Sequence, residues 1–269
     1  MVDLEKIGEH VSDIAKFEFP FGVELELPKV FGYQVTKYMV IEAAVALVLM
    51  LIFIPLARRI ATGQPVRGRV ANLLEAMLLF LRDEVARPSI GRHDADRFLP
   101  FIWSIFFFVL GCNLTGSVPW AGSPTGALAV TAVLAASTFL VVIGSGMLKY
   151  GVGRFWIGLI PHMDLPLVLA IFLYPMLFVI EVVGLLIKHA VLAVRLLANV
   201  FAGHLVLAVI ISFIAATAHS IFALWMGVTV ASMAGYVALS LLELFVAFLQ
   251  AYIFAFLSAL FIGMAVHQH

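Results

Sequence analysis

The chain has 269 residues, of which 64% are hydrophobic and only 12% charged. Its mean hydropathy of +1.12 excludes a soluble domain of this length and makes the bilayer its solvent. Sixteen basic residues balance sixteen acidic ones, which argues against nucleic acid as a partner, and the single cysteine, Cys112, excludes an internal disulfide framework or a cysteine metal cluster.

The opening residues, M-V-D-L-E-K-I-G-E-H, are charged and lack the apolar core of a cleaved presequence. Residues 1–37 are therefore set apart as an external segment. The first apolar run, from Tyr38 to Ala57, is long enough for one span and is closed by Pro55 and the Arg58–Arg59 pair. Eight arginines fall between Arg58 and Arg97, against four lysines in residues 1–37. Under the positive-inside rule the Arg-rich loop is cytoplasmic and the N-terminus lies outside. Within that loop, Val70, Leu73, Leu74, Met77, Leu78, Leu81 and Val85 recur at helical spacing, which predicts an amphipathic helix over 68–85. Such a helix lies on the cytoplasmic surface of the membrane or packs as a partner helix. A second span is predicted over Phe98–Val118 and a third over Ala127–Leu148. The turn between them carries no basic residue, whereas Lys149 and Arg154 follow the third span on the inner side. With no internal repeat and no soluble boundary, residues 1–269 form a single membrane domain.

Two apolar stretches remain, Leu167–Ala216 and Ser220–Val266, separated by the short turn A-T-A-H-S. As helix each measures roughly 70 Å, more than twice the hydrocarbon thickness. Each either breaks into two spans or runs unbroken at a steep tilt. Neither contains a central Gly-Pro turn or charge cluster, and Pro175 would only kink the first, so the unbroken form is expected. The predicted fold is all-α and polytopic: five membrane-entering helices, the last two long and steeply tilted, one amphipathic surface helix, and a cytoplasmic C-terminus.

The costliest residue in this apolar sequence is Arg195. A guanidinium stays protonated, and at bilayer depth it costs about 2.5–3.5 kcal/mol on insertion scales. Glu181 and Lys188 precede it at intervals of seven, so the three share a helical stripe. Asn199 stands about 40° from that stripe. His204 falls on the opposite side of the helix from Arg195. On the last stretch Glu243 and Gln250 share one face, extended upstream by Tyr236. If the two stretches pack antiparallel about a tight turn near 217–219, residues 204 and 234 come to similar depth, with Glu243 and Gln250 deeper toward Arg195. A histidine and a glutamate facing one crevice are suited to relay protons, and the whole set reads as an ion pathway. Several polar residues have plainer readings. His189 and His219 serve as hydrogen-bonded structure and Glu42 is interfacial, while Lys188 either snorkels to the interface or lines the path and Asn113 either bonds locally or joins it as a secondary member. Ala223, Gly227, Ala231 and Gly235 form a small-residue stripe that lets another helix approach.

The segment R-L-L-A-N-V-F-A-G-H, with Glu181 and Lys188 upstream and E-L-F-V-A-F-L-Q-A-Y-I-F-A-F-L downstream, resembles subunit a of F-type ATP synthases. The loop N-L-x-G-x-x-P before the third span fits the same family, and the likeness runs from about residue 35 onward. The resemblance implies a non-catalytic membrane stator beside a ring of c subunits, with peripheral-stalk b subunits and other ATP synthase subunits as partners, no cofactor or metal, and ATP made elsewhere in the complex. It implies that Arg195 faces the ring carboxylate, that Asn199 and Gln250 are its polar neighbours, and that Glu181 is an acidic group on the cytoplasmic side. His204 and Glu243 occupy positions that carry glutamate and histidine, respectively, in many bacterial members. The exchange, as in mitochondrial and alphaproteobacterial members, marks them as one functional pair. Gly116 stands where some members carry aspartate and takes no proton role. The transported ion implied is the proton, and the location implied is a bacterial inner membrane, with the mitochondrial inner membrane as the alternative. Two other classes compete with this reading: a secondary transporter, which would show repeats and interrupted helices, and a haem-binding quinone oxidoreductase subunit, which would need histidines paired on facing helices.

Overall fold

The computed structural model describes residues 16–19, 23–30, 33–62, 68–118, 122–160, 167–218 and 220–267. Two short antiparallel ladders come first. Strand β1 (Lys16–Phe19) pairs with β2 (Val23–Glu26), and β3 (Lys29–Val30) pairs with β4 (Tyr33–Gln34). These ladders were not anticipated. The signal was present, because K-F-E-F and V-E-L-E alternate polar and apolar residues with the period of a strand.

Every later regular element described is helical, so the fold is that of an all-α polytopic membrane protein. Helix α1 (Lys37–Ala61) starts after Thr36, whose backbone is extended, and ends with Arg58 and Arg59 in its last turn, where cations suit the helix dipole. Helix α2 (Arg69–Phe80) continues through a π-helical segment, Leu81–Ala86, and a last turn, Arg87–Ile90, until Gly91 at φ +94° ends it. Helices α3 (Ala95–Gly116) and α4 (Leu128–Tyr150) follow, then a short α5 (Val152–Gly158) that was not foreseen. Helices α6 (Leu167–Ala216) and α7 (Phe222–Val266) are each unbroken, and α6 is continuous across Pro175. Among the described residues five helices, α1, α3, α4, α6 and α7, are long and apolar enough to cross a membrane. The unbroken alternative is therefore the one adopted, and helices of 50 and 45 residues fit a bilayer only by tilting. His219 and His269 lie outside the described residues.

The chain divides into two compact units, one of residues 1–64, 107–131 and 195–251, the other of residues 65–106, 132–194 and 252–269. In the first, Tyr38, Ile41 and Val45 of α1 form a buried cluster with Cys112 of α3. A Cβ at Gly111 would meet Val45 Cγ1 at 2.6 Å, so that glycine is what admits α1.

In the second unit, α2 is exposed along its first turns, with Val70 and Leu73 open, while Leu81, Val85, Ala86 and Ile90 beyond it are fully buried. The helix predicted over 68–85 is present, exposed at its start and packed at its end, and runs on to Ile90. Trp103 Nε1 donates to the Leu78 carbonyl at 3.1 Å. Phe155 fills the space left open by Gly146, and the backbone of Ser89 lies directly on Gly263 of α7. Polar contacts close this end. Tyr150 donates to the Val266 carbonyl at 2.7 Å, His267 Nε2 lies 2.7 Å from the Ile90 carbonyl, and Lys149 Nζ lies 2.7 Å from Asp94. The Lys149 ammonium holds the Asp94 carboxyl below the usual carboxylate range.

Candidate functional site

Within the first unit α6 and α7 pack antiparallel. Asn199 Nδ2 donates to Gln250 Oε1 at 2.9 Å, Gly203 lies against Glu243, and a Cβ added at Gly235 would meet Ile210 Cδ1 at 3.9 Å. The register differs from a tight-turn hairpin: His204 is level with Glu243 and not with residue 234. The cause lies at the turn. Thr217 lies across an apolar crevice from Val228, so the opening turns of α7 run past the end of α6 before the two helices meet. The same splay leaves the small-residue stripe open. A Cβ at Gly227 would meet nothing within 4 Å.

The offset assembles the polar residues. His204 Nδ1 stands 4.0 Å from Glu243 Oε1, with both side chains mostly buried. That separation is too long for a hydrogen bond and is the span a bridging water covers. The pair lines a cleft of about 430 Å³ walled by Lys37 and Tyr38 of α1, the Gly122–Gly126 segment, and Tyr236 and Ser240 of α7. From the same pair a narrow cavity of about 30 Å³ continues between Asn113, Ser123, Asn199 and Gln250. That volume holds about one water molecule.

Arg195 lies one helical turn before Asn199 and is half-buried. Its Nε and Nη2 are buried with no hydrogen-bond partner among the described residues, and the same holds for Gln250 Nε2. Glu181 and Lys188 lie upstream on α6, Glu181 half-buried and Lys188 exposed. His189 is structural: its Nδ1 lies 2.8 Å from the Leu185 carbonyl and its ring sits between Phe139 and Phe261.

Asn113 does more than bond locally. It donates to the Ala247 carbonyl of α7 at 3.2 Å and accepts from Thr125 at 2.7 Å. Sequence reading missed Ser240, Lys37, Tyr38, Ser123 and Thr125. Ser240 was accessible to it, standing four residues after Tyr236 and three before Glu243 on one helical face. Lys37, Tyr38 and Ser123 reach the cleft, and Thr125 reaches the Asn113 amide, through tertiary folding, and none of them carries a local signal.

The family model described as ATP synthase A chain matches residues 39–263. The chain is 41% identical over 239 residues to ATP synthase subunit a of Myxococcus xanthus (strain DK1622), covering 88% of this chain and 75% of that protein. It is 39% identical over 278 residues to ATP synthase subunit a of Chloroherpeton thalassium (strain ATCC 35110 / GB-78), covering 98% and 78%. The transporter and haem-protein readings fall with these matches. A membrane chain of five long apolar helices, matched along most of its length by such relatives, belongs to the F-type ATP synthase subunit a family.

Proposed function

We propose that this chain is the proton-conducting stator of its ATP synthase, offering two separate half-channels to the carboxylates of a rotating c-ring. The observation that carries the reading is the sequence of polar groups from the cleft to Arg195. His204 and Glu243 line the wide cleft, Asn113, Asn199 and Gln250 line its narrow continuation, and Arg195 stands one turn further with two unsatisfied donors. Protons from the outer side enter the cleft, pass His204 and Glu243, and neutralise a ring carboxylate near Arg195. The neutral carboxyl then faces lipid, and the ring turns. After nearly a full circuit the proton leaves through a cytoplasmic half-channel near Glu181, which precedes Arg195 by fourteen residues on α6.

Arg195 has two tasks in this scheme. Its fixed charge blocks direct passage between the half-channels, and it favours the ionised ring carboxylate that must accept the next proton. The guanidinium suits both because it stays charged and, being more weakly hydrated than an ammonium, is less costly to strip of water. The protonmotive force supplies about 2.3 kcal/mol per charge per 100 mV, and the chain makes or breaks no covalent bond. The ring and the peripheral-stalk b subunits are the expected partners within the complex, and the membrane is a bacterial inner membrane.

Replacing Arg195 tests the scheme. The Arg195→Ala complex should assemble, fail in proton-driven ATP synthesis and leak protons. Arg195→Lys should be severely impaired. Synthesis near the wild-type rate in the alanine variant would overturn the assignment.

A further inference from the structure

The narrow cavity has a wall held by hydroxyl groups to which the scheme above gives no task. Asn113, Ser123 and Thr125 are all buried, Thr125 completely. Thr125 Oγ1 lies 2.7 Å from Asn113 Oδ1, Ser123 Oγ lies 2.7 Å from Thr125 Oγ1 and 3.1 Å from the Cys112 carbonyl, and Asn113 Nδ2 lies 3.2 Å from the Ala247 carbonyl. Proton counting orders these contacts. The Ala247 carbonyl can only accept, so the Asn113 NH2 must face α7; a flipped amide would set two acceptors against each other. The amide oxygen then faces Thr125 and takes that hydroxyl's only proton. The short Ser123–Thr125 contact is consequently filled by the Ser123 proton. The bonds run in one direction, from Ser123 through Thr125 and Asn113 to the backbone of α7.

We propose that Thr125 is a positioning residue for proton transfer: by fixing the Asn113 amide it ties the 122–126 segment to α7 and sets the bore of the passage between Glu243 and Gln250. A passage with room for about one water is sensitive to small movements of its wall. Asn113 and Ser123 line it directly, facing Asn199 and Gln250, whereas Thr125 acts through them. The inference rests on the proton path proposed above.

The test uses the intact complex in inverted vesicles, with ATP-driven proton pumping normalised to the amount of assembled enzyme. Thr125→Val keeps the shape and removes the donor, leaving a buried amide oxygen unpaired. It should slow pumping roughly fivefold or more, whereas Thr125→Ser, which retains the hydroxyl, should restore most of the rate. Wild-type pumping in Thr125→Val overturns the inference. Equal damage in the valine and serine variants also overturns it, because packing and not the hydroxyl would then matter. If the valine variant does not assemble, Ser123→Ala decides, since it withdraws the proton that fills the Ser123–Thr125 contact. Slowed pumping there supports the inference, and an unchanged rate sinks it. His204→Ala in the same assay separates the two levels. If it pumps normally the cleft is not the route and the wider reading fails; if it is slow while Thr125→Val is normal, only the role of Thr125 is lost.

Discussion

Gly203 marks a point where a single hydrogen atom in place of a methyl group decides the position of a carboxylate. A Cβ at this position would lie 2.7 Å from Glu243 Oε1 and 3.2 Å from its Cδ, closer than ordinary contact allows. The obstructed group is the end of a flexible side chain, so the helices need not part; the carboxylate must move instead, which changes its placement relative to His204. Gly203→Ala is therefore expected to assemble normally yet pump protons several-fold more slowly. Glu243→Asp placed in that background withdraws the carboxylate by one methylene and should recover part of the rate. Wild-type pumping in Gly203→Ala would mean that the carboxylate works equally well wherever it settles. At this scale the sequence was legible for ionisable and strongly polar groups, because each is costly in lipid and stands out singly. Arg195, His204, Glu243, Asn199 and Gln250 all announced themselves in this way. Gly203, Ser123 and Thr125 did not, since small and hydroxyl residues cost little in a membrane helix or loop and their importance is purely geometric.

The helices themselves were legible because length and apolar content are read directly from the chain, and the unbroken form of α6 and α7 followed from the absence of interior breaks. Their mutual register was not legible, because it depends on how far the first turns of α7 run past the end of α6, which a four- or five-residue connection does not specify. The packing of the α2 extension on α7 was hidden for a similar reason. A Cβ at Gly263 would fall on the Ser89 carbonyl oxygen and lie 2.9 Å from its carbon, and these are backbone atoms that cannot rotate away. Gly263→Ala must push the Arg87–Ile90 turn off α7, disturbing Ile90 in the core and the His267 contact to its carbonyl. Overpacking of this kind costs about 1–3 kcal/mol or more. The variant should show lower yield in the membrane and a reduced Tm of the detergent-solubilised complex. Gly227→Ala, where an added methyl meets no atom of the chain, is the control. Equal Tm values for the two variants would show that the Ser89–Gly263 approach is not a constraint.

At the scale of the whole molecule, the direction of transport follows from orientation. The cleft is lined by residues at the end of α3, by the 122–126 segment, and by the parts of α6 and α7 that flank their connecting turn. Under the proposed orientation, which sets the Arg58–Arg97 loop in the cytoplasm, successive spans would place the α3–α4 connection and the α6–α7 turn together on the outer side. The cleft then receives protons from outside, as synthesis requires. Reversing the protein would make the same cleft serve the cytoplasm and exchange the roles given to Glu181 and Glu243. Two single-cysteine substitutions at exposed positions distinguish these cases, Arg69→Cys in the Arg-rich loop and Ser220→Cys in the hairpin turn. The native Cys112 is fully buried and should stay silent toward a membrane-impermeant maleimide. Right-side-out vesicles are expected to label Ser220→Cys and leave Arg69→Cys untouched, with the pattern exchanged in inverted vesicles. The opposite pattern would overturn the orientation while leaving the internal geometry of the site intact. The cleft would then have to be the exit route during synthesis, and His204→Ala would slow proton release, not uptake.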